Sequence, residues 1–227
     1  MKKLLLLFSL CISFCAFSQG NTLSSLTAKA KSGDIEAQYN LGRRYLYDSH
    51  RGDDEKAVKQ GVFWIEKSAK AGYPKAQFSL AELIESLIDS DLKNSFSQRY
   101  KESDAVTWYR KAAQSGVKEA YSRAGVIFYR AGNNKEAFSW FSAGVKAGDL
   151  RSYHWLATMY NEGQHVKKDP QQAFKFNLYA AERGDKYAMQ AVSEAYMSGS
   201  GVKRDTKKAE FWDEKQELVE HDRSILE

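Results

Sequence analysis

The residue types that usually carry catalysis are few in this chain of 227 residues. Its four histidines are His50, His154, His165 and His221, and no two of them have the four-residue spacing that places two metal ligands on one helix face. The acidic run from Asp53 to Glu55 could supply paired general acids, but it also fits a helix start, where negative charge is stabilising. We therefore predict no metal site, no cofactor and no catalytic residue.

Nucleophilic chemistry also lacks its usual motifs. The two cysteines, Cys11 and Cys15, both lie close to the N-terminus, and the chain has no Gly-x-Ser-x-Gly sequence. The segment from Gly199 to Gly201 resembles a phosphate-binding loop, but it lacks the Gly-Lys-Ser or Gly-Lys-Thr ending of such a loop. We predict that the protein is not an enzyme.

The N-terminus has the pattern of a secretory signal. Two lysines precede an apolar run, 4–17, and small residues lie just before a cut between Ser18 and Gln19. The run of about 14 residues is shorter than the roughly 20 that a membrane-spanning helix needs. We predict that residues 1–18 are a cleaved signal peptide, that the protein is periplasmic or secreted, and that no stable membrane span remains.

The charge of the chain is mild and dispersed. The formal net charge is +5, and charged residues of both signs make up 28% of the sequence, a balance typical of globular proteins. Basic residues occur in short pairs, such as Arg43-Arg44 and Lys203-Arg204, and do not gather in one stripe. This pattern favours solvated surfaces and predicts no nucleic-acid partner.

Five glycines divide the rest of the chain into similar lengths. They are Gly33, Gly72, Gly116, Gly148 and Gly184, separated by 32 to 44 residues. A period in this range indicates stacked supersecondary units. Each glycine follows a helical pattern, and we predict that it ends that helix in the left-handed conformation, where a residue without Cβ meets no steric penalty.

The segment after each glycine predicts a first helix, helix A. Mostly small or aliphatic residues lie four, eight and nine positions after the glycine, and a large apolar residue lies twelve after it, all on one helical arc. Positions three, seven, ten and fourteen then face outward. The small residues would let a second helix approach closely.

A second helix, helix B, follows in each unit. Asn133, Asp169 and Asp205 each precede an alanine by four positions and are suited to cap a helix N-terminus. Pro170 fits the first helical position, where its missing N–H has no cost. We expect an aromatic residue of helix B to pack against the small face of helix A. These aromatic residues are Trp64, Trp108, Trp140, Phe176 and Trp212.

Three segments resemble the Sel1-like repeat, a relative of the tetratricopeptide repeat (TPR) with a longer loop between its helices. They are Ala37 to Gly42 with Tyr45, Ala105 to Ala113, and Gly199 to Asp205. The resemblance implies an all-α fold, a right-handed α-solenoid of about five Sel1-like or TPR-like helical hairpins.

The predicted domains follow from this resemblance. We predict a signal peptide at 1–18, a short linker at 19–27, the repeat solenoid at 28–216 and a polar C-terminal cap or tail at 217–227. An insertion near Asp89 to Ser103 departs from the pattern and has no assigned role. His165 occupies a loop position that is usually glycine in these repeats.

Together with the signal pattern and the missing catalytic motifs, the resemblance implies an exported, non-catalytic scaffold, an adaptor or regulator in the cell envelope. It would bind another protein or peptide through the concave face of its A helices. We predict that the chain itself is a monomer. The predicted partner-binding residues are Asn40, Arg43, Tyr47, Arg123, Trp155 and Tyr187.

Three alternatives remain open at this point. Trp155 could pack on a neighbouring A helix and not bind a partner. Trp155, Tyr47 and Tyr187 could instead be platforms for cell-wall glycan or peptidoglycan fragments. A hydrolase, as claimed for some cysteine-rich relatives, is less supported because both cysteines lie in the predicted signal.

Overall fold

The computed structural model describes residues 23–49, 55–89 and 99–226. The predicted signal peptide, His50, Asp53, Asp54 and most of the insertion lie outside these residues. The described residues form eleven α-helices and no strand, which confirms the all-α prediction. The helices are α1 (Leu23–Lys31), α2 (Ile35–Ser49), α3 (Glu55–Lys70), α4 (Pro74–Asp89), α5 (Glu102–Gln114), α6 (Glu119–Arg130), α7 (Asn134–Ala147), α8 (Leu150–Glu162), α9 (Pro170–Ala181), α10 (Lys186–Ser198) and α11 (Thr206–Leu226).

The helices pair as five hairpins, each made of an A helix and the B helix that follows it. The pairs are α2 with α3, α4 with α5, α6 with α7, α8 with α9, and α10 with α11. Their contacts divide the chain into two compact units, the first ending at Val117 and the second beginning at Lys118. Within a unit, each B helix also packs on the next A helix. Among the described helices, none is both long and apolar enough to cross a bilayer.

The predicted helix ends are confirmed. All five dividing glycines have positive φ, from 78° at Gly148 to 103° at Gly33. At the B helices, the side chains of Asn133, Asp169 and Asp205 accept hydrogen bonds from backbone N–H groups three residues later, at 3.3, 2.9 and 3.1 Å. These local hydrogen bonds satisfy donors that a helix start leaves unpaired.

His165 adopts the left-handed conformation that its position requires. Its φ is 65°, and Gly201, at the same place in the next repeat, has a φ of 72°. The His165 ring contacts Phe138, with ring centroids 5.4 Å apart. A non-glycine residue therefore holds this loop in an uncommon backbone conformation.

One helix lies across the predicted boundary between the linker 19–27 and the repeats that begin at 28. Helix α1 starts at Leu23, inside the predicted linker 19–27, because Leu26 and Ala30 cover Ala37 and Leu41 of α2. Helix α11 likewise continues to Leu226 through the predicted tail 217–227. The two predicted domain boundaries, at 27/28 and at 216/217, therefore each fall inside a helix.

The predicted packing of the B-helix aromatic residue is confirmed at two hairpins. Trp64 lies in one core cluster with Ala37 and Leu41 in the first unit. In the second unit, Trp212 lies in a cluster with Ala188 and Val192. Large rings thus fill the space that the small residues of the A helix leave open.

Candidate functional site

The six predicted partner-binding residues divide between the two units. Asn40, Arg43 and Tyr47 lie on α2 in the first unit, and all three are half-buried. The Arg43 guanidinium carbon lies 5.7 Å from the centroid of the Tyr39 ring. This geometry is a cation–π contact, which holds the arginine close to its own helix.

Residues Arg123, Trp155 and Tyr187 lie in the second unit, on α6, α8 and α10 in turn. Arg123 is half-buried, and Tyr187 is 45% exposed. The cations of Arg151 and Lys186 lie 5.4 and 5.3 Å from the centroid of the Tyr187 ring. The N-terminal ends of α8 and α10 therefore carry a basic rim around one exposed aromatic residue, as the outward register of Tyr187 predicts.

Trp155 packs between neighbouring helices. It is half-buried, and its ring stacks on Phe141 of α7 with centroids 5.6 Å apart and planes inclined by 6°. It also contacts Tyr129 of the preceding A helix at 5.1 Å. Trp155 therefore packs on neighbouring helices, which is the alternative that the sequence left open. Phe141 covers one face of the Trp155 ring, and a bound sugar would need an open face.

The rings of Tyr129, Phe141 and Trp155 fill the junction between α6 and α8; we call them the aromatic plug. The Tyr129 hydroxyl donates a hydrogen bond to Glu162 Oε2 at 2.7 Å. Burial, together with the negative charge of Glu162, raises the pKa of Tyr129 to about 12. The phenol therefore stays a neutral donor at physiological pH and fixes the plug in place.

The next junction, between α8 and α10, has no such plug. Counted from the capping glycines and the helix B alanines, the three plug positions hold Asn161, Asn177 and Ala191. A cleft of about 240 Å³ opens there; we call it the α8–α10 cleft. Its lining residues are Asn161, Pro170, Phe174, Asn177, Ala191, Glu194, Ala195, Ser198 and Ser200.

The polar side chains of the cleft are held by neighbours. Asn177 is buried, and its Oδ1 lies 3.1 Å from His154 Nδ1, so that ring nitrogen carries the hydrogen. The exposed Glu194 carboxylate accepts a hydrogen bond from Gln190 Nε2 at 3.0 Å. Sequence reasoning placed Ala191, Glu194 and Ser198 on the outward face but missed the cleft, because the missing plug is visible only when two junctions are compared.

Asp149 is a buried carboxyl group in the second unit. Its Oδ2 accepts hydrogen bonds from Ser152 Oγ at 2.5 Å and from the Ser122 backbone N–H at 3.2 Å. Burial raises the pKa of Asp149, and the hydrogen bonds from Ser152 and Ser122 act in the opposite direction. Through these hydrogen bonds the Asp149 carboxyl group links the start of α6 to the start of α8, which is a structural role.

Metal ligation finds no support in the part of the chain that the structure describes. There, no group of three or more His, Cys, Asp or Glu residues is placed to hold a metal ion. His154 is engaged with Asn177, and His165 with Phe138.

The helical hairpins define a class of protein, the α-solenoids built from TPR-like repeats. A model of the Sel1 repeat matches residues 35–73, 99–117, 119–149, 150–185 and 186–215, so this chain belongs to the Sel1 repeat family. The predicted fold class is thereby confirmed. Proteins of this family are typically protein-interaction scaffolds and are generally non-catalytic.

Known proteins are similar to this chain in fold or in sequence. A Sel1 repeat protein from Oxalobacter formigenes has a TM-score of 0.67 and 27% identity, covering 86% of this chain and 79% of its own. An immunity protein from Pseudomonas aeruginosa has a TM-score of 0.58 over 91% of this chain and 78% of its own, and its 16% identity shows likeness of fold alone. An uncharacterized protein from Neisseria meningitidis serogroup B is 26% identical over 81% of this chain, which spans only 36% of that relative.

Proposed function

We propose that this chain is an exported, non-catalytic scaffold that binds another protein through the outward positions of its A helices, as an adaptor or regulator in the cell envelope. The family supports protein binding, since Sel1 repeats generally bind proteins. The signal-like pattern of residues 1–18 supports export.

The observation that carries the proposal is the surface of α8 and α10 in the second unit. It combines the exposed Tyr187 ring, the Arg151 and Lys186 cations beside it, and the polar α8–α10 cleft. Aromatic and arginine side chains are the types enriched among residues that dominate protein-binding energy. The concave polar cleft farther along the same two helices supplies hydrogen-bonding groups that give specificity.

Protein binding is better supported than glycan binding. A sugar platform needs an open aromatic face, but Trp155 stacks on Phe141 and Tyr47 is half-buried. Tyr187 is exposed, yet two cations lie over its ring. Such a basic and aromatic surface suits a partner that carries acidic groups.

The experiment is a capture assay with the chain that lacks residues 1–18, immobilised and exposed to envelope proteins of the cells that produce it. We expect the double variant Arg151→Glu and Tyr187→Ala to weaken capture of a specific protein by roughly tenfold or more. The control is Lys207→Glu with Phe211→Ala, which likewise replaces one basic and one aromatic residue, on the exposed face of α11. Equal capture by the two double variants would contradict the proposal.

Trp155→Ala is unsuitable for this test. The ring packs against a core cluster that includes Phe141 and Leu156, so its removal is expected to destabilise the fold. Lost binding in that variant would not separate a lost contact from a lost fold.

A further inference from the structure

The α8–α10 cleft exists because one junction of the second unit is built from different residues than its neighbour. Three aromatic rings fill the α6–α8 junction, whereas two amide side chains and an alanine stand at the matching positions of the α8–α10 junction. Both junctions keep the small and aliphatic residues that pack the helices together. The change therefore opens space without disturbing the stack.

The size of the cleft suits one side chain. Its volume of about 240 Å³ lies below the roughly 300–1,000 Å³ of pockets that enclose whole small ligands. Pro170 and Phe174 of α9 and Ala195 of α10 provide apolar surface, with Phe174 partly buried beside Tyr196 at 5.2 Å. This surface suits the extended aliphatic part of a bound side chain.

The charge and the hydrogen-bonding groups of the cleft determine which terminal group a bound side chain should carry. Among the described residues that line it, Glu194 is the charged one, and it is a carboxylate. Asn161 and Ser200 add side-chain oxygens that accept hydrogen bonds, whereas Ser198 Oγ already donates to the Glu194 backbone carbonyl at 2.8 Å and accepts from the Ser200 N–H at 3.3 Å. Hence the cleft favours a cation with several donors.

We propose that the α8–α10 cleft binds an arginine side chain presented by the partner protein. This inference rests on the proposed function and names the chemistry of its partner. Glu194 accepts two parallel N–H bonds from the planar guanidinium, and the oxygen-bearing side chains accept the remaining donors. The aliphatic part of the arginine lies against Ala191, Ala195 and Phe174. Lysine fits less well because its ammonium offers a single point charge and no planar fork.

The direct test uses N-acetyl-arginine amide as the probe. It is titrated into isotope-labelled protein while the amide signals are followed by NMR. We expect saturable shifts at Asn161, Ala191 and Glu194, weakened roughly five- to tenfold when the neutral isostere N-acetyl-citrulline amide replaces the probe. Glu194→Gln is expected to weaken binding by a similar factor, whereas the matched control Glu210→Gln on α11 leaves it unchanged.

A second variant closes the cleft with residues that the chain already uses. Asn161→Tyr, Asn177→Phe and Ala191→Trp together copy the aromatic plug into the α8–α10 junction, and we expect them to abolish the shifts. A thermal unfolding curve shows whether this variant folds; if it does not, Glu194→Gln decides alone, because Glu194 is exposed and outside the core.

Several results would overturn the inference. These are no shifts at the cleft, equal shifts with the citrulline probe, or shifts that persist in Glu194→Gln. Capture of a partner protein that is weakened by Arg151→Glu with Tyr187→Ala but not by Glu194→Gln would overturn the arginine assignment and leave the proposed function standing. Unchanged capture by the first double variant would overturn the proposed function itself.

Discussion

At the scale of single residues, two buried glutamines differ in whether a serine hydroxyl donates a hydrogen bond to the side-chain oxygen. Gln77 Oε1 accepts a hydrogen bond from Ser115 Oγ at 3.1 Å, whereas the buried Oε1 of Gln38 has no hydrogen-bond partner among the residues that the structure describes. Both amides donate to a carbonyl oxygen of the preceding helix, at Ala30 for Gln38. Ala71 directly follows α3 as Ser115 directly follows α5, so the first repeat lacks the hydroxyl that the second one supplies. A buried acceptor without a donor costs stability.

We therefore predict opposite effects for two substitutions. Ala71→Ser should raise the free energy of unfolding by about 1 kcal/mol, because it gives Gln38 a donor, and Ser115→Ala should lower it by about 1–3 kcal/mol. Urea unfolding measures both. Ala131→Ser, at the exposed end of α6, is the control and should change little. A loss of stability in Ala71→Ser would show that the hydroxyl does not reach the amide.

The buried Asp149 predicts a pH dependence. Its pKa in the folded protein is raised above the ordinary value of 3.8 by burial, so folding favours the protonated form. The contribution of this group to stability is present below the unfolded-state pKa and is lost as pH rises through the folded-state value. The neutral amide introduced by Asp149→Asn does not titrate, so the variant has no such loss.

The measurement is urea unfolding of the wild type and Asp149→Asn between pH 3 and pH 8, written as the difference in unfolding free energy. We expect this difference, variant minus wild type, to increase as pH rises above about 3.8 and to level off above the folded-state pKa. A difference that is constant or that decreases with pH would contradict the raised pKa.

At the scale of helices, close approach depends on small residues at defined positions. Gly125 of α6 is buried, and a Cβ built on it would lie 2.4 Å from Cε1 of the Phe141 ring. Gly42 is equally crowded, with Ile65 Cγ1 at 2.6 Å. At these contacts the rings and branched side chains of helix B occupy the space that a side chain on helix A would need.

Gly125→Ala is therefore expected to destabilise the protein by about 1–3 kcal/mol, although alanine is the better helix former. Thermal or urea unfolding measures the loss. Gly125→Ala should cost less stability when it is added to Phe141→Leu than when it is added to the wild type, because the smaller leucine makes room for the new methyl group. A stabilising effect of Gly125→Ala in the wild-type background would show that the helices are not in close contact here.

The elements differ in how far the sequence could predict them. The glycine ends and the Asn133 and Asp169 caps follow from local hydrogen bonding and sterics, so a single sequence shows them. Helix α1 is short, and its helical state depends on the contact of Leu26 and Ala30 with α2, which local pattern does not reveal. Tertiary contact decided the outcome there.

The candidate site divides in the same way. Helical periodicity correctly placed Tyr187 on an exposed face. It left the packing of Trp155 open, because periodicity within α8 does not show that Phe141 and Tyr129 of two other helices contact the ring. The roles of Asn40, Arg43, Tyr47, Arg123, Trp155 and Tyr187 in binding stay a prediction.

At the scale of the whole molecule, the B helices show where the described array stops. Four positions of each B helix lie where the next A helix packs. In α7 they hold Phe138, Phe141, Gly144 and Val145, and in α9 Phe174, Asn177, Ala180 and Ala181, but in α11 they hold Glu210, Asp213, Gln216 and Glu217. The α11 face is polar and acidic, a composition that stays solvated without a further helix packed against it.

This face bears on the predicted monomer. We expect the wild type to sediment as a monomer, because the acidic α11 faces of two copies repel each other. Replacing the four α11 residues with those of α9, as Glu210→Phe, Asp213→Asn, Gln216→Ala and Glu217→Ala, should produce association that depends on concentration, measured by analytical ultracentrifugation. A wild type that is already dimeric, or a variant that stays monomeric, would contradict the cap assignment.

The central claim is that the A helices form the surface that binds a partner protein. The most direct measurement places a photo-crosslinking amino acid at single positions in cells that produce the chain. We predict that one protein is crosslinked from Tyr187 and Ala191 on α10, and that none is crosslinked from the exposed B-helix positions Lys175 and Phe211. Crosslinks from the B-helix positions with none from α10 would contradict the claim.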